Sequence, residues 1–130
     1  MAMSFCYCGN NAPFENCCKP YIDGTQKAET AETLMRSRYT AYATLAIDYL
    51  IATTHSSQRK YYSKSDIRTW AVSNQWLKLE VIAATHTTVE FKAHFLDSNK
   101  TAQIHHEKST FVFEEDRWFY VDGLFNENIV

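Results

Sequence analysis

At Trp76 the hydrophobic period of the chain changes from helical to alternating, and this switch constrains the fold more than any other feature. Before it, Leu34, Arg38, Ala41 and Leu45 recur at helical spacing, with Met35, Tyr39, Tyr42 and Ala46 beside them. Thr30 is placed to cap this helix, with Glu32 in its first turn. Ile47, Leu50, Ile51 and Thr54 share one face of a second helix. Ser63, followed three residues on by Asp66, opens a third whose stripe is Ile67, Trp70 and Ala71. Beyond Trp76, Leu77, Leu79 and Val81 alternate with Lys78 and Glu80. Val89, Phe91, Ala93 and Phe95 alternate with Glu90, Lys92 and His94. A further strand, from about Ile104 to Phe113, carries His105, Glu107, Ser109, Phe111 and Phe113 on one side. Glu115-Asp116 then reverses the chain into Trp118–Val121, which ends at Asp122-Gly123. Links this short join antiparallel neighbours. The expectation is an α+β layer fold: three helices packed on a curved antiparallel sheet of about four strands. Tyr39, Trp70, Trp76, Phe91, Phe95 and Phe111 are expected in the core between the layers.

The segment ahead of the first helix needs a different source of order. It holds Gly9, Gly24, Pro13 and Pro20 but few aliphatic side chains. It also holds all four cysteines, in the spacing C-x-C-x₈-C-C: Cys6, Cys8, Cys17 and Cys18. Thiols crowded at one end cannot staple distant parts of a fold, so a disulfide framework is a poor reading. Free thiols, local disulfides and an iron–sulfur cluster all use such residues, but four thiolates on one Zn²⁺ suit the pattern best. A closed four-sulfur shell leaves no position for substrate, so the zinc, one per chain, is structural. Backbone N–H groups, Lys19 and Lys27 are expected to offset its charge. The chain therefore divides into a zinc element, 1–26, and an α+β domain, 27–130. The domain is expected to stay folded without metal.

Composition narrows the function. The 130 residues are 45% hydrophobic with a formal charge of −2, which excludes a disordered chain and argues against a polybasic nucleic-acid or membrane binder. Neither a signal peptide nor a membrane-spanning run is legible, so a cytosolic, soluble chain is expected. Tyr61-Tyr62 beside Arg59-Lys60 mixes aromatic and basic character, but one such cluster reads better as a loop anchor than as an RNA contact.

Cys6-Tyr7-Cys8-Gly9-Asn10 through Cys17-Cys18 resembles the SEC-C motif, a zinc-binding element. Tyr7 stands where that motif usually has proline and Asn10 where it has serine; neither is a ligand. Leu34–Tyr39, Asp48-Tyr49-Leu50, Thr54-His55, Trp76–Leu79, His106–Ser109 and Trp118–Gly123 extend the likeness to the bacterial YchJ-like family of SEC-C proteins. The resemblance implies a SEC-C element joined to a cone-shaped domain of the nuclear-transport-factor-2-like (NTF2-like) superfamily. It also implies a motif used elsewhere to dock on export or ribosomal components.

Two functions follow as expectations. The first is a non-enzymatic adaptor that binds a protein or ribosomal partner in export, translation or chaperone work. Tyr7, Phe14, Lys19 and Tyr21 near the metal are its contact residues, with Phe14 and Tyr21 equally readable as a packed hinge. The second is a small-molecule binder or enzyme using the cavity of the cone. Its candidates are Arg36, Arg38, His55, Glu107, Trp118, Tyr120 and Asp122, with His55 a base oriented by Glu107 or Asp122. Ion pairing of Arg36 or Arg38 with either carboxylate is the simpler reading.

Overall fold

The computed structural model describes residues 5–125. A 3₁₀ turn at Phe14–Asn16 leads into a short helix, α1 (Lys19–Ile22), with Pro20 in its first turn. The sequence pattern does not reveal α1, and it raises the count of α-helices among the described residues to four. The others are α2 (Ala31–Thr44), α3 (Ile47–Ala52) and α4 (Lys64–Ser73). Both expected caps form: Thr30 Oγ1 accepts from the Thr33 N–H at 3.0 Å, and Ser63 Oγ from the Asp66 N–H at 3.3 Å.

Leu45 departs from its expected place on the buried stripe. It takes the left-handed conformation, φ 63°, and its N–H and that of Ala46 return to the carbonyls of Tyr42 and Ala41. This is a Schellman ending with leucine in place of glycine, and it turns the side chain out to solvent.

Strands β1 (Gln75–Ala84), β2 (Thr88–Leu96), β3 (Ala102–Glu114) and β4 (Arg117–Phe125) form one antiparallel sheet in sequence order. The β3–β4 reversal has φ 53° at Glu115 and 65° at Asp116, the signature of a two-residue type I′ turn. Strand β2 alternates cleanly, burying Val89, Phe91, Ala93 and Phe95. Strand β1 does not. A register shift between Trp76 and Lys78 turns Trp76 inward with Leu79, and leaves Leu77 exposed against expectation. Phe113, also expected inward, lies at the exposed end of β3 against the edge of Trp118.

Helix α2 lies across the sheet, touching β1, β2 and β4. Tyr39, Phe91, Phe95 and Phe111 are buried as expected and Trp76 is half-buried. Trp70 is not a core residue. It is 40% exposed and packs edge-on to Trp76 and Phe95 at the mouth of a cavity. Cys6, Cys8 and Cys18 belong to the same buried cluster as Leu34, Met35, Tyr39, Leu79 and Phe91. The cysteine segment is thus packed into the main core, which bears on the expectation that the domain is indifferent to metal. No helix among the described residues is long and apolar enough to cross a membrane.

Candidate metal centre and the sheet cavity

The cysteine segment closes through short backbone bonds. The Cys6 N–H donates to the Ala12 carbonyl at 2.7 Å and the Gly9 N–H to the Cys6 carbonyl at 3.1 Å, with Gly9 at φ +95°. Cys17 then follows the 3₁₀ turn, and Cys18 sits at the start of α1. The four Sγ atoms lie within 4.8 Å of one another, and no disulfide links them. The Cys8–Cys17 and Cys17–Cys18 sulfur separations are 3.6 and 4.0 Å. A tetrahedral shell with metal–sulfur bonds of about 2.3 Å has edges of about 3.8 Å, so the residues fit a four-thiolate metal.

The surroundings support such a shell. Thr40 Oγ1, fully buried, donates to Cys18 Sγ at 3.3 Å, and Asn10 Nδ2 donates to Cys17 Sγ at 3.6 Å. Arg36 Nη1 donates to the Cys8 carbonyl at 2.7 Å while its Nε pairs with Glu32 at 3.0 Å. The two lysines expected here are engaged elsewhere: Lys19 holds Asp23 at 2.7 Å and Lys27 holds Asp116 at 3.3 Å. Sequence spacing could not show that hydroxyl and amide groups from α2 and the knuckle itself do this work. The hydrogen bond from Cys18 holds the Cys8 thiol down at about 5, with the Asn10 N–H assisting against burial. Burial pushes Cys17 up to about 11, and the bond to Cys8 together with burial pushes Cys18 well above the usual thiol range. Cys6, Cys8, Cys17 and Cys18 would hold the metal as thiolates, so its binding would release protons.

Around this centre Tyr7, between two candidate ligands, is 52% exposed and meets Phe14 edge-on at 5.9 Å. Phe5 is exposed beside it, a contact candidate that sequence reasoning missed. Phe14 packs partly against the core, and Tyr21 lines a groove shared with Trp118, both in hinge-like positions.

The second set of candidates does not assemble as expected. Only Arg38, Glu107 and Tyr120 line the cavity between α2, α4 and the sheet, whose volume is about 270 Å³. Arg36 faces the metal knuckle. Asp122 lies exposed opposite Thr110, and Trp118 turns away to donate to the Glu29 carbonyl at 3.2 Å. His55 is outside the cavity altogether. Its Nδ1 lies 2.8 Å from Ser57 Oγ, and its Nε2 lies 3.0 Å from Glu114, so neither Glu107 nor Asp122 orients it. The reason is a backbone bridge: the His55 N–H donates to the Tyr120 carbonyl at 2.8 Å, which fixes the residue on the outer edge of β4.

Glu107 instead is gripped by three donors. His105 Nε2 lies 2.8 Å from Oε1, while Ser109 Oγ and Tyr120 OH donate to Oε2 at 2.6 and 2.9 Å. Burial pushes this carboxyl up, but the bonds from His105 and Ser109, the charge of His105 and the Tyr120 bond together hold it below the usual glutamate value. Tyr120 is pushed above the usual phenol range, chiefly by burial and then by Glu107, and so keeps its proton. Arg38 stacks on the Tyr120 ring at 4.5 Å and donates through Nη1 to the Leu50 carbonyl at 3.0 Å and Thr53 Oγ1 at 2.7 Å.

Residues 30–123 match the family profile described as YchJ, middle NTF2-like domain. The chain belongs to the YchJ-like family. A UPF0225 protein of Geobacter sulfurreducens is 39% identical over 127 residues, covering 92% of this chain and 78% of the relative. One from Photorhabdus laumondii is 39% identical over 126 residues, covering 92% and 79%. The solution structure of a SEC-C motif-containing protein from Rhodopseudomonas palustris superposes with a TM-score of 0.86 at 34% identity, over 94% of this chain and 98% of that one. A SEC-C protein crystal structure from Psychrobacter arcticus gives 0.75 at 29%, over 96% and 84%. The YchJ-like assignment agrees with the four clustered cysteines and the four-stranded antiparallel sheet.

Proposed function

We propose that this YchJ-like protein is a cytoplasmic, non-enzymatic adaptor whose SEC-C element, ordered by one structural Zn²⁺, docks on a macromolecular partner in export, translation or chaperone work. One observation carries the reading: Tyr7 lies between Cys6 and Cys8, both buried, yet presents an exposed ring. A four-thiolate shell leaves no open metal position for chemistry, so what the metal adds is rigidity, and here it rigidifies an aromatic anchor at the surface. Lys19, exposed at the start of α1 and paired with Asp23, supplies a basic group next to Cys18, and Phe14 meets Tyr7 edge-on. The resemblance of the cysteine segment to docking SEC-C elements supports the same reading.

The test begins with metal analysis of protein purified without added metal, which is expected to give about one zinc per chain. Stoichiometric iron, or four freely titrating thiols, overturns the metal assignment. A native partner captured by wild type is expected to be lost on the double change Tyr7→Ala and Lys19→Ala with zinc content unchanged. A partner retained by that variant, or retained after chelation, removes the zinc element as the contact surface.

A further inference from the structure

The cavity beneath α2 presents opposite charges, Arg38 and Glu107, with His105 bonded to Glu107, that the adaptor reading leaves unused. Arg38 is only 6% exposed, and all three of its hydrogen bonds leave from Nη1, to Leu50, Thr53 and Thr54. Its Nε and Nη2 meet no acceptor among the described residues. Every sealed side-chain nitrogen or oxygen among the described residues does have a partner, so these N–H groups are not sealed, and Arg38 lines the cavity. Glu107, equally buried, has three donors on a carboxylate with about four acceptor positions, which leaves one unfilled on Oε1, and it lines the same cavity. Tyr120 joins the two, with its ring under Arg38 and its hydroxyl on Glu107. Most of the remaining lining is aromatic: Trp70 and Trp76 meet edge to face at 5.0 Å, and Phe91 on β2 joins them.

The geometry points to a ligand site for a small, uncharged aromatic amide or lactam, its carbonyl oxygen taken by Arg38, its N–H by Glu107, and its ring held against Trp70 and Trp76. A carboxylate suits Arg38 but sets a second negative charge beside buried Glu107. A cation suits Glu107 but faces the guanidinium. A neutral amide carries acceptor and donor on one carbon and leaves neither charge opposed, so it avoids the desolvation cost of bringing in an ion. The 270 Å³ volume lies just under the range of about 300–1,000 Å³ common for ligand sites, room for one or two rings. The site uses none of the four cysteines.

Benzamide, benzoate and benzamidinium share one ring and differ in charge, so they separate the alternatives. Titrations followed by backbone and indole NMR shifts on the full chain are expected to show benzamide at the Trp70, Trp76, Phe91 and His105 signals, bound at least about tenfold more tightly than either ion. Glu107→Gln is expected to raise benzoate relative to benzamide by about tenfold, because Arg38 then faces no opposing charge. Trp70→Ala, at the half-open rim, is expected to weaken benzamide at least about threefold while leaving the fold intact, which keeps the test decisive if Glu107→Gln does not fold. Benzoate or benzamidinium binding wild type as tightly as benzamide overturns the inference. So does the absence of cavity shifts at about 20 mM benzamide, a generous ceiling for so few ligand atoms.

Discussion

Gly123→Ala is a severe test of the Glu107 cluster, because the perturbation is one methyl group. Gly123 pairs with Ser109 across β3 and β4, and its φ is not in the left-handed region, so its backbone accepts alanine. Space is the constraint. The Glu107 carboxylate rests over the Gly123 Cα, and an added Cβ would overlap its Oε2, Cδ and Cγ. Glu107 must then leave its site and its bonds to His105, Ser109 and Tyr120. Breaking a buried, hydrogen-bonded charge cluster costs about 3–5 kcal/mol, and the entropy advantage of alanine over glycine in the unfolded chain returns about 0.4–1 kcal/mol. The net loss of about 2–4.5 kcal/mol corresponds to a Tm lower by roughly 7–16 °C for a chain of this size. Thermal unfolding followed by circular dichroism at neutral pH measures it. The Glu107 pKa is depressed in the folded state. Its contribution to stability is therefore full above the ordinary glutamate value of about 4.3 and fades as pH falls through the lower folded value. The gap between wild type and variant should narrow in acid. A variant melting within about 2 °C of wild type at neutral pH, or a gap that widens on acidification, refutes the placement of Glu107.

Three further outcomes follow from the packing. Phe91→Ala is expected to cost about 3–5 kcal/mol in denaturant unfolding, and Trp70→Ala less than half of that, because the first ring is sealed and the second is at a rim. Equal losses would mean that the cavity mouth is closed. Stripping the metal, or replacing Cys8 with serine, is expected to lower the unfolding midpoint of the whole domain, since three of the cysteines lie in its core; an unchanged midpoint would make the knuckle an independent unit. Arg36→Ala is expected to speed metal loss to a chromogenic chelator by about tenfold, through release of the Cys8 carbonyl.

Local signals were legible in the sequence, and assembled ones were not. Thr30 and Ser63 announce their helices because capping needs only a side-chain oxygen and the next turn. Glu115-Asp116 announces its hairpin because the following strand begins at once. The cysteine spacing likewise shows that the thiols converge. The β1 bulge is silent, since an extra residue inverts facing without altering composition, and so alternation alone puts Leu77 inward. Leu45 misled because leucine seldom ends a helix in the left-handed region. The Glu107 cluster draws donors from β3 and β4, whose register depends on a further shift between Thr110 and Phe111. Similarly, His55 is committed to the edge of β4 by a backbone bridge that no side-chain pattern encodes.

The cysteine cluster and the cavity meet on α2, and this explains why that helix has so weak an apolar stripe. Arg36 and Thr40, four residues apart, form one ridge that braces the Cys8 carbonyl and Cys18 Sγ. Arg38 and Tyr42, also four apart, form a ridge on the opposite side that lines the cavity. Between them Ser37 is fully buried, bonded to the Leu34 carbonyl at 2.8 Å and Tyr49 OH at 2.7 Å. A helix enclosed on two sides by polar work cannot supply a continuous hydrophobic seam. On its knuckle side three cysteines pack against Leu34, Met35 and Tyr39, and a metal held by the four thiols would add order there. A ligand seated on Arg38 and a metal seated beside Thr40 would each stabilise the same fourteen-residue element, so by mass action each raises the population of the fold the other needs.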